Sequence, residues 1–191
     1  MANVNAPFGF RPVGKMGSNI NNSGTNVYPI ADNYATSIFK GVDGVIEVGT
    51  ATSTKNIGIF NGVFISKDPS TGKPKWSNFY SQTNVATGET IEAYVYDDPN
   101  QLFEVQMGGT ATLAAAALGN NIDSVAGSGS TINGQSTSTL ATSITGSGAT
   151  AQFRVIRASQ DPENSDTGSA YANYIVKFNE HLYLTTTGSS A

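Results

Sequence analysis

There is no cysteine among the 191 residues, which excludes both a disulfide framework and thiolate zinc centres. A chain this long buries a core without such staples, so the absence is no handicap and leaves the redox compartment open. Charge is also scarce. Asp, Glu, Lys and Arg supply 13% of the residues, about half of the ~25% usual in soluble domains. Ten Lys and Arg stand singly among fourteen Asp and Glu, so no basic stripe is available for nucleic acid. No apolar run approaches the ~20 residues of a membrane-spanning helix. The opening residues, Met1-Ala2-Asn3-Val4-Asn5-Ala6-Pro7-Phe8, lack the basic-then-apolar layout of a signal peptide. Synthesis and folding in a cytoplasm are expected.

Glycine, serine, threonine, asparagine and alanine fill the space that charge leaves, giving a polar surface suited to turns and extended chain. The clearest pattern spans 91–107. Ile91, Ala93 and Val95 alternate with Glu92, Tyr94 and Tyr96; Phe103, Val105 and Met107 alternate with Leu102, Glu104 and Gln106. Both runs have the period of two of a strand, and Asp98-Pro99-Asn100 between them is turn chemistry. The spacing predicts a β-hairpin with one apolar face and one face of tyrosines and acids. Further strands are expected over 25–30, over 42–48 with a bend at Gly44, and over 57–65 with a bulge near Gly62. Two more are expected over 152–157 and over 172–184. One helical turn capped by Asp32 is expected within 31–39. Alanines and leucines over 110–118, closed by Gly119, predict one short helix. Trp76, Phe79 and Tyr80 are expected to lid the core. The Gly/Ser/Thr-rich stretch 126–150 reads as loop or irregular edge, anchored by Leu140 and Ile144. The fold class is therefore all-β: a single barrel or sandwich of about 7–9 short strands over 25–187.

Residues 1–24 read as an extended N-terminal arm. Pro7 and Pro12 interrupt any helix, and Phe8, Phe10 and Val13 lie in a segment without periodicity. Pro7-Phe8-Gly9-Phe10-Arg11-Pro12-Val13 is too aromatic to remain uncovered. Either its own domain or a neighbouring subunit must receive it.

Catalytic and ligand-binding patterns are weak throughout. His181, the one histidine, has no Gly-x-Ser-x-Gly elbow to serve and is expected at a surface or interface. Glu92 and Glu104 fall on the tyrosine-bearing faces of the expected hairpin. Asp97 and Asp98 fall at its tip, where turn chemistry accounts for them. Asp161, Glu163 and Asp166 lack the glycine and closing glutamate of an EF-hand loop. Gly127-Ser128-Gly129-Ser130-Thr131-Ile132-Asn133-Gly134 lacks the lysine of a phosphate loop. No enzyme activity, cofactor or metal is expected.

Two of these stretches, Pro7-Phe8-Gly9-Phe10-Arg11-Pro12-Val13 and the run from Ala93 through Asp97-Asp98-Pro99-Asn100 to Gln106, resemble small structural proteins of tailed bacteriophages. Asn33-Tyr34-Ala35-Thr36, Gly62-Val63-Phe64 and Asp68-Pro69-Ser70-Thr71-Gly72-Lys73-Pro74-Lys75-Trp76 match as well, in order along the chain. The similarity weakens over 120–150 and at the C-terminus. The resemblance implies a head decoration, or cement, protein of the virion: bound outside the major capsid protein's shell, stabilising it, without enzyme activity and often trimeric. On that reading Phe8, Phe10, Arg11 and Val13 are the candidate capsid-binding arm, and Tyr94 and Tyr96 a second interface face, tyrosine being favoured at interfaces. The alternative from another class is a carbohydrate-binding or adhesin module of a phage tail or fibre, which the Ser, Thr, Asn and Gly content suits equally.

Overall fold

The computed structural model describes residues 3–17, 24–31, 34–46, 55–113, 118–144 and 151–184. They form an all-β fold of two five-stranded antiparallel sheets and two small two-stranded ones. Sheet I runs β1 (Arg11–Lys15), β9 (Gln101–Gln106), β14 (Asn173–Phe178), β13 (Phe153–Ala158), β10 (Asn121–Ile122). Sheet II runs β2 (Asn26–Pro29), β8 (Ile91–Tyr96), β5 (Lys55–Ile65), β4 (Asp43–Ile46), with β6 (Lys75–Ser77) also paired to β5. The small sheets join β3 (Ile38–Phe39) to β7 (Phe79–Tyr80) and β11 (Ser124–Val125) to β12 (Thr139–Leu140).

Alternation along 91–106 gives two strands, as expected, but not a hairpin. β8 pairs with β2 and β5, whereas β9 pairs with β1 and β14. The turn does form: the Asp98 carbonyl accepts from the Gln101 amide at 2.9 Å, and its Oδ1 accepts from the Asn100 amide at 2.8 Å. It carries the chain from one sheet to the other, because each strand already has a neighbour on both edges.

The apolar residues accordingly divide between two cores. Phe103, Val105 and Met107 join Phe153, Val155, Val176 and Phe178 of sheet I, with Ile59 of β5 packed among them. Ile91, Ala93 and Val95 join Phe60, Val63, Ile65 and Tyr80 in a second cluster. Sheet II thus has buried groups on both faces, which explains why 57–65 is apolar in nearly every position. Its bulge falls between Phe60 and Gly62, and the Trp76 indole fills the place a side chain at residue 62 would take.

Four other expectations need correction. The segment 3–15 is extended but does not stand off as an arm: β1 is hydrogen-bonded to β9, and Phe10 is in the first core. Residues 1, 2 and 18–23 of the expected arm lie outside the described residues. Within 110–118, residues 110–113 and Leu118 are not helical, and 114–117 lie outside the described residues. Ala31 and residues 34–36 are likewise non-helical, and the expected cap Asp32 is not among the described residues. The last strand stops at Phe178 rather than running to 184. There the amides of Asn179 and Glu180 turn to the Gln152 carbonyl, and a 3-10 turn follows at Leu182–Leu184.

The Gly/Ser/Thr-rich stretch is packed, as far as it is described. Leu140 is fully buried, and Ile144 packs against the first core. Two of its glycines serve close approach: a Cβ on Gly129 would lie 1.9 Å from the Phe39 ring, and one on Gly127 would lie 2.3 Å from the Thr137 carbonyl.

Candidate functional site

The expected contact residues are dispersed by the fold into three environments. Phe10 is 2% exposed and stacks on Phe153, ring centroids 4.5 Å apart. It is core. Phe8 is half-buried, and the Arg11 guanidinium lies over its ring at 4.7 Å. Arg11 and Val13 face outward from β1, an edge strand whose Pro12 and local bulge guard it against further pairing. Tyr96 turns inward, edge-on to Phe103 at 6.5 Å, and burial raises its pKa. Alternation puts Tyr94 on the same face of sheet II, where it meets Trp76 edge-on at 4.9 Å. This Trp76–Tyr94 pair, with the indole about half exposed, is what remains of the expected tyrosine face.

Ahead of β1, residues 3–6 are held by side-chain amides. Gln106 accepts from the Ala6 amide at 3.2 Å and donates to the Val4 carbonyl at 2.9 Å. Asn164 accepts from the Val4 amide at 2.9 Å and also donates to the Val4 carbonyl at 2.9 Å. Asn3 donates to the carbonyls of Asp166 and Ala170, both at 2.8 Å. Further along, Arg11 donates to the buried carboxylate of Glu104, which also accepts from the Ser159 hydroxyl. Burial opposes the charge on Glu104, but the Arg11 and Ser159 hydrogen bonds outweigh it and hold its pKa below the ordinary value. Expected on the tyrosine-bearing face of a hairpin, Glu104 is instead a buried tie between β1 and the rest of sheet I.

His181 is fully buried, not at a surface. Its Nε2 donates to the Ile57 carbonyl at 2.7 Å, and its Nδ1 accepts from the Tyr183 amide at 3.2 Å. This pairing fixes the neutral Nε2–H tautomer, and burial lowers the pKa. Nearby, the buried carboxylate of Asp97 accepts from Tyr28 Oη at 2.5 Å and from Asn26 Nδ2 at 2.8 Å. Tyr28 also meets the Tyr183 hydroxyl at 2.9 Å. The Tyr28 pKa is raised, first by burial and then by the Asp97 hydrogen bond. Asp98 is ion-paired to Lys15 at 2.8 Å. Each of these groups has a structural partner that accounts for it.

The carboxylates of the acidic loop close local turns. Asp161 Oδ1 accepts from the Glu163 amide at 3.1 Å, and Asp166 Oδ1 accepts from the Gly168 amide at 3.0 Å. Among the described residues no group of three or more His, Cys, Asp or Glu is arranged to hold a metal ion. Nor is any helix among them long and apolar enough to cross a membrane.

One concavity gathers several expected residues. Phe8, Phe10, Arg11 and Pro12 of the N-terminal segment and Tyr96 at the end of β8 line a cavity of about 240 Å³. Its remaining lining includes Lys40, Asn61, Asn78 and Gln135, residues from separate segments that carry no shared spacing in the sequence. A shallower depression beside Val13, Arg157 and Ile175 flanks the Arg11–Glu104 pair. Compared with known proteins, the chain matches no family model, no curated protein and no solved structure.

Proposed function

We propose that this chain is a structural component of a tailed-phage particle: a decoration protein that binds the outside of the major capsid shell, as a trimer, and stabilises it. The reading begins from the resemblance of 7–13 and 93–106 to such proteins. The observation that carries it further is the docking of the N-terminal segment on its own body. Because β1 is hydrogen-bonded to β9, Arg11 and Val13 are offered on a fixed edge rather than a loose tail, which lowers the entropy lost on association. Many copies on equivalent positions of a shell then gain avidity beyond any single contact. The half-exposed Trp76–Tyr94 pair is a second surface of the kind interfaces favour.

The test is location and copy number. A decoration protein is present in hundreds of copies per purified particle, binds emptied shells when added back, and sediments as a trimer or is trimeric on the shell. A tail or fibre adhesin is present in few copies. The observation favouring that second reading is the aromatic- and amide-lined cavity. A few copies per particle, with no binding to shells, would replace the first reading by the second.

A further inference from the structure

The outer face of sheet I collects cations that the sequence keeps far apart. Residues directly opposite in neighbouring strands share a face. The registers line up Leu102, Lys177 and Arg154 in one row across the sheet, and Arg11, Glu104, Ile175 and Arg157 in the next. Four of the chain's ten Lys and Arg therefore stand together. Only Arg11 has a carboxylate of its own, that of Glu104. Lys177 and Arg157 make no ion pair among the described residues. Arg154 is held by neutral acceptors: its Nε donates to Asn121 Oδ1 and its Nη2 to Asn179 Oδ1, both at 3.0 Å. These amides orient the guanidinium without neutralising its charge. One further carboxylate, Asp161, lines the depression beside Arg157, and its Oδ1 already accepts from the Glu163 amide.

The rest of the molecule has the opposite sign. The four cations and Glu104 contribute +3 (4 − 1), so the remainder of a chain of net charge −4 carries −7 (−4 − 3). At one end the face is closed by the chain itself, where Gln106 donates to the Val4 carbonyl and the Asn173 amide to the Asn164 carbonyl. Between that end and Arg154 it lies open, with Arg157 and Val13 exposed and Leu102 and Lys177 half-buried. Cations interleaved with apolar groups suit a protein surface better than a nucleic acid. Neither row offers an aromatic ring on which a base could stack, and a long polyanion would run past the patch onto surface of its own sign. We propose that the open part of this face docks an acidic protein surface, whose carboxylates meet Arg154, Arg157 and Lys177 while its apolar groups cover Val13 and Leu102. The face is continuous with Arg11 and Val13 on β1, so the proposal rests on the capsid reading in one respect: it makes the shell surface that receives β1 acidic.

The experiment uses the full chain and two readouts that fail separately. In the first, amide chemical shifts are followed during titration with a peptide of glutamates and interspersed leucines, with the same peptide carrying Gln for Glu and with oligothymidylate. The acidic peptide should move the amides of Arg154, Arg157 and Lys177, bind more tightly than its Gln counterpart, and weaken as salt rises and screens the charges. Lys177→Gln and Arg157→Gln should each weaken it about two- to fivefold, the scale of one exposed ion pair. Reversing both, Lys177→Glu with Arg157→Glu, should cost about tenfold or more and leave the cooperative melt in place. In the second, the double reversal should weaken binding to emptied shells by a similar factor. Peptide shifts that map elsewhere or do not saturate, affinity indifferent to these substitutions, or tighter binding of oligothymidylate would overturn the proposal. Shell binding unchanged by the double reversal would overturn it for the capsid while leaving attachment through β1 standing. A wild-type chain that binds no shell would defeat the capsid reading instead, and the peptide titration would still decide what this face receives.

Discussion

Phe10 and Phe153 lie nearly parallel, ring planes 20° apart and centroids 4.5 Å apart. The N-terminal segment is thereby fastened to the start of β13, three strands across sheet I from β1. Phe10→Ala should destabilise the protein by about 3–5 kcal/mol, the usual cost of emptying a fully packed phenylalanine site, as read by urea unfolding. Deleting residues 2–15 should remove the cooperative melt altogether. A truncated chain that melts as sharply as the whole would show that the core closes without Phe10.

Val13 tests the attachment separately from the fold. It is 42% exposed, so Val13→Asp should leave unfolding within about 0.5 kcal/mol of wild type. If the outer face of β1 meets the shell, the same change should weaken binding to emptied shells by about 2 kcal/mol or more, the scale of an interface hot spot. Undiminished binding would move the attachment to Trp76 and Tyr94.

Glu104 makes stability depend on acid. Its folded pKa lies below the unfolded value, near ~4.3. Its contribution is therefore complete above that value and is lost as pH falls through the folded one. Glu104→Gln should cost about 1.5–3 kcal/mol at neutral pH, typical of hydrogen bonds to a charged group. It should also flatten the fall in unfolding free energy below about pH 4. An unchanged acid limb in the variant would assign that limb to other carboxylates.

His181 governs a different window. Burial keeps its folded pKa below the unfolded value of ~6.5. Stability is thus full above about pH 6.5 and declines as pH falls from there to the folded value, by no more than ~1.4 kcal/mol per pH unit. It is the chain's one histidine, so His181→Gln should abolish the slope between about pH 5 and 6.5. Ring nitrogen shifts should show the Nε2–H tautomer at neutral pH.

Gly129 is expected to be intolerant despite its low-complexity surroundings. A Cβ there would collide with the Phe39 ring, and overpacking of this kind costs about 1–3 kcal/mol. Gly14, with nothing within 4 Å of its added Cβ, is the control: Gly14→Ala should be neutral or slightly stabilising.

Much of the fold was legible because it is locally written. The Gly62 bulge, the register shift of β4 against β5 just after Gly44 and the anchors Leu140 and Ile144 each follow from a residue type and its immediate neighbours. Pairing was not legible. Alternation states which side of a strand is buried, and Ile91 and Phe103 satisfy it equally whether their strands pair or lie in separate sheets. His181 was misplaced because what ends the strand before it, the Gln152 carbonyl, is distant in sequence. The candidate site was legible only in part. The aromatic stretch 7–13 announced a need for cover, but Lys40, Asn61, Asn78 and Gln135 meet through tertiary structure alone.

The split of β8 and β9 between sheets also sets an order of events during synthesis. The five strands of sheet II, from Asn26 to Tyr96, leave the ribosome before sheet I has more than β1. Phe10 must then wait for Phe153, 143 residues later (153 − 10), an interval of about 7–30 s at ~5–20 residues per second. Until β9 emerges, the aromatic segment 7–13 has no strand of its own sheet beside it. A nascent chain stalled before residue 101 is accordingly the form in which this protein is most exposed to capture by chaperones or by other copies of itself.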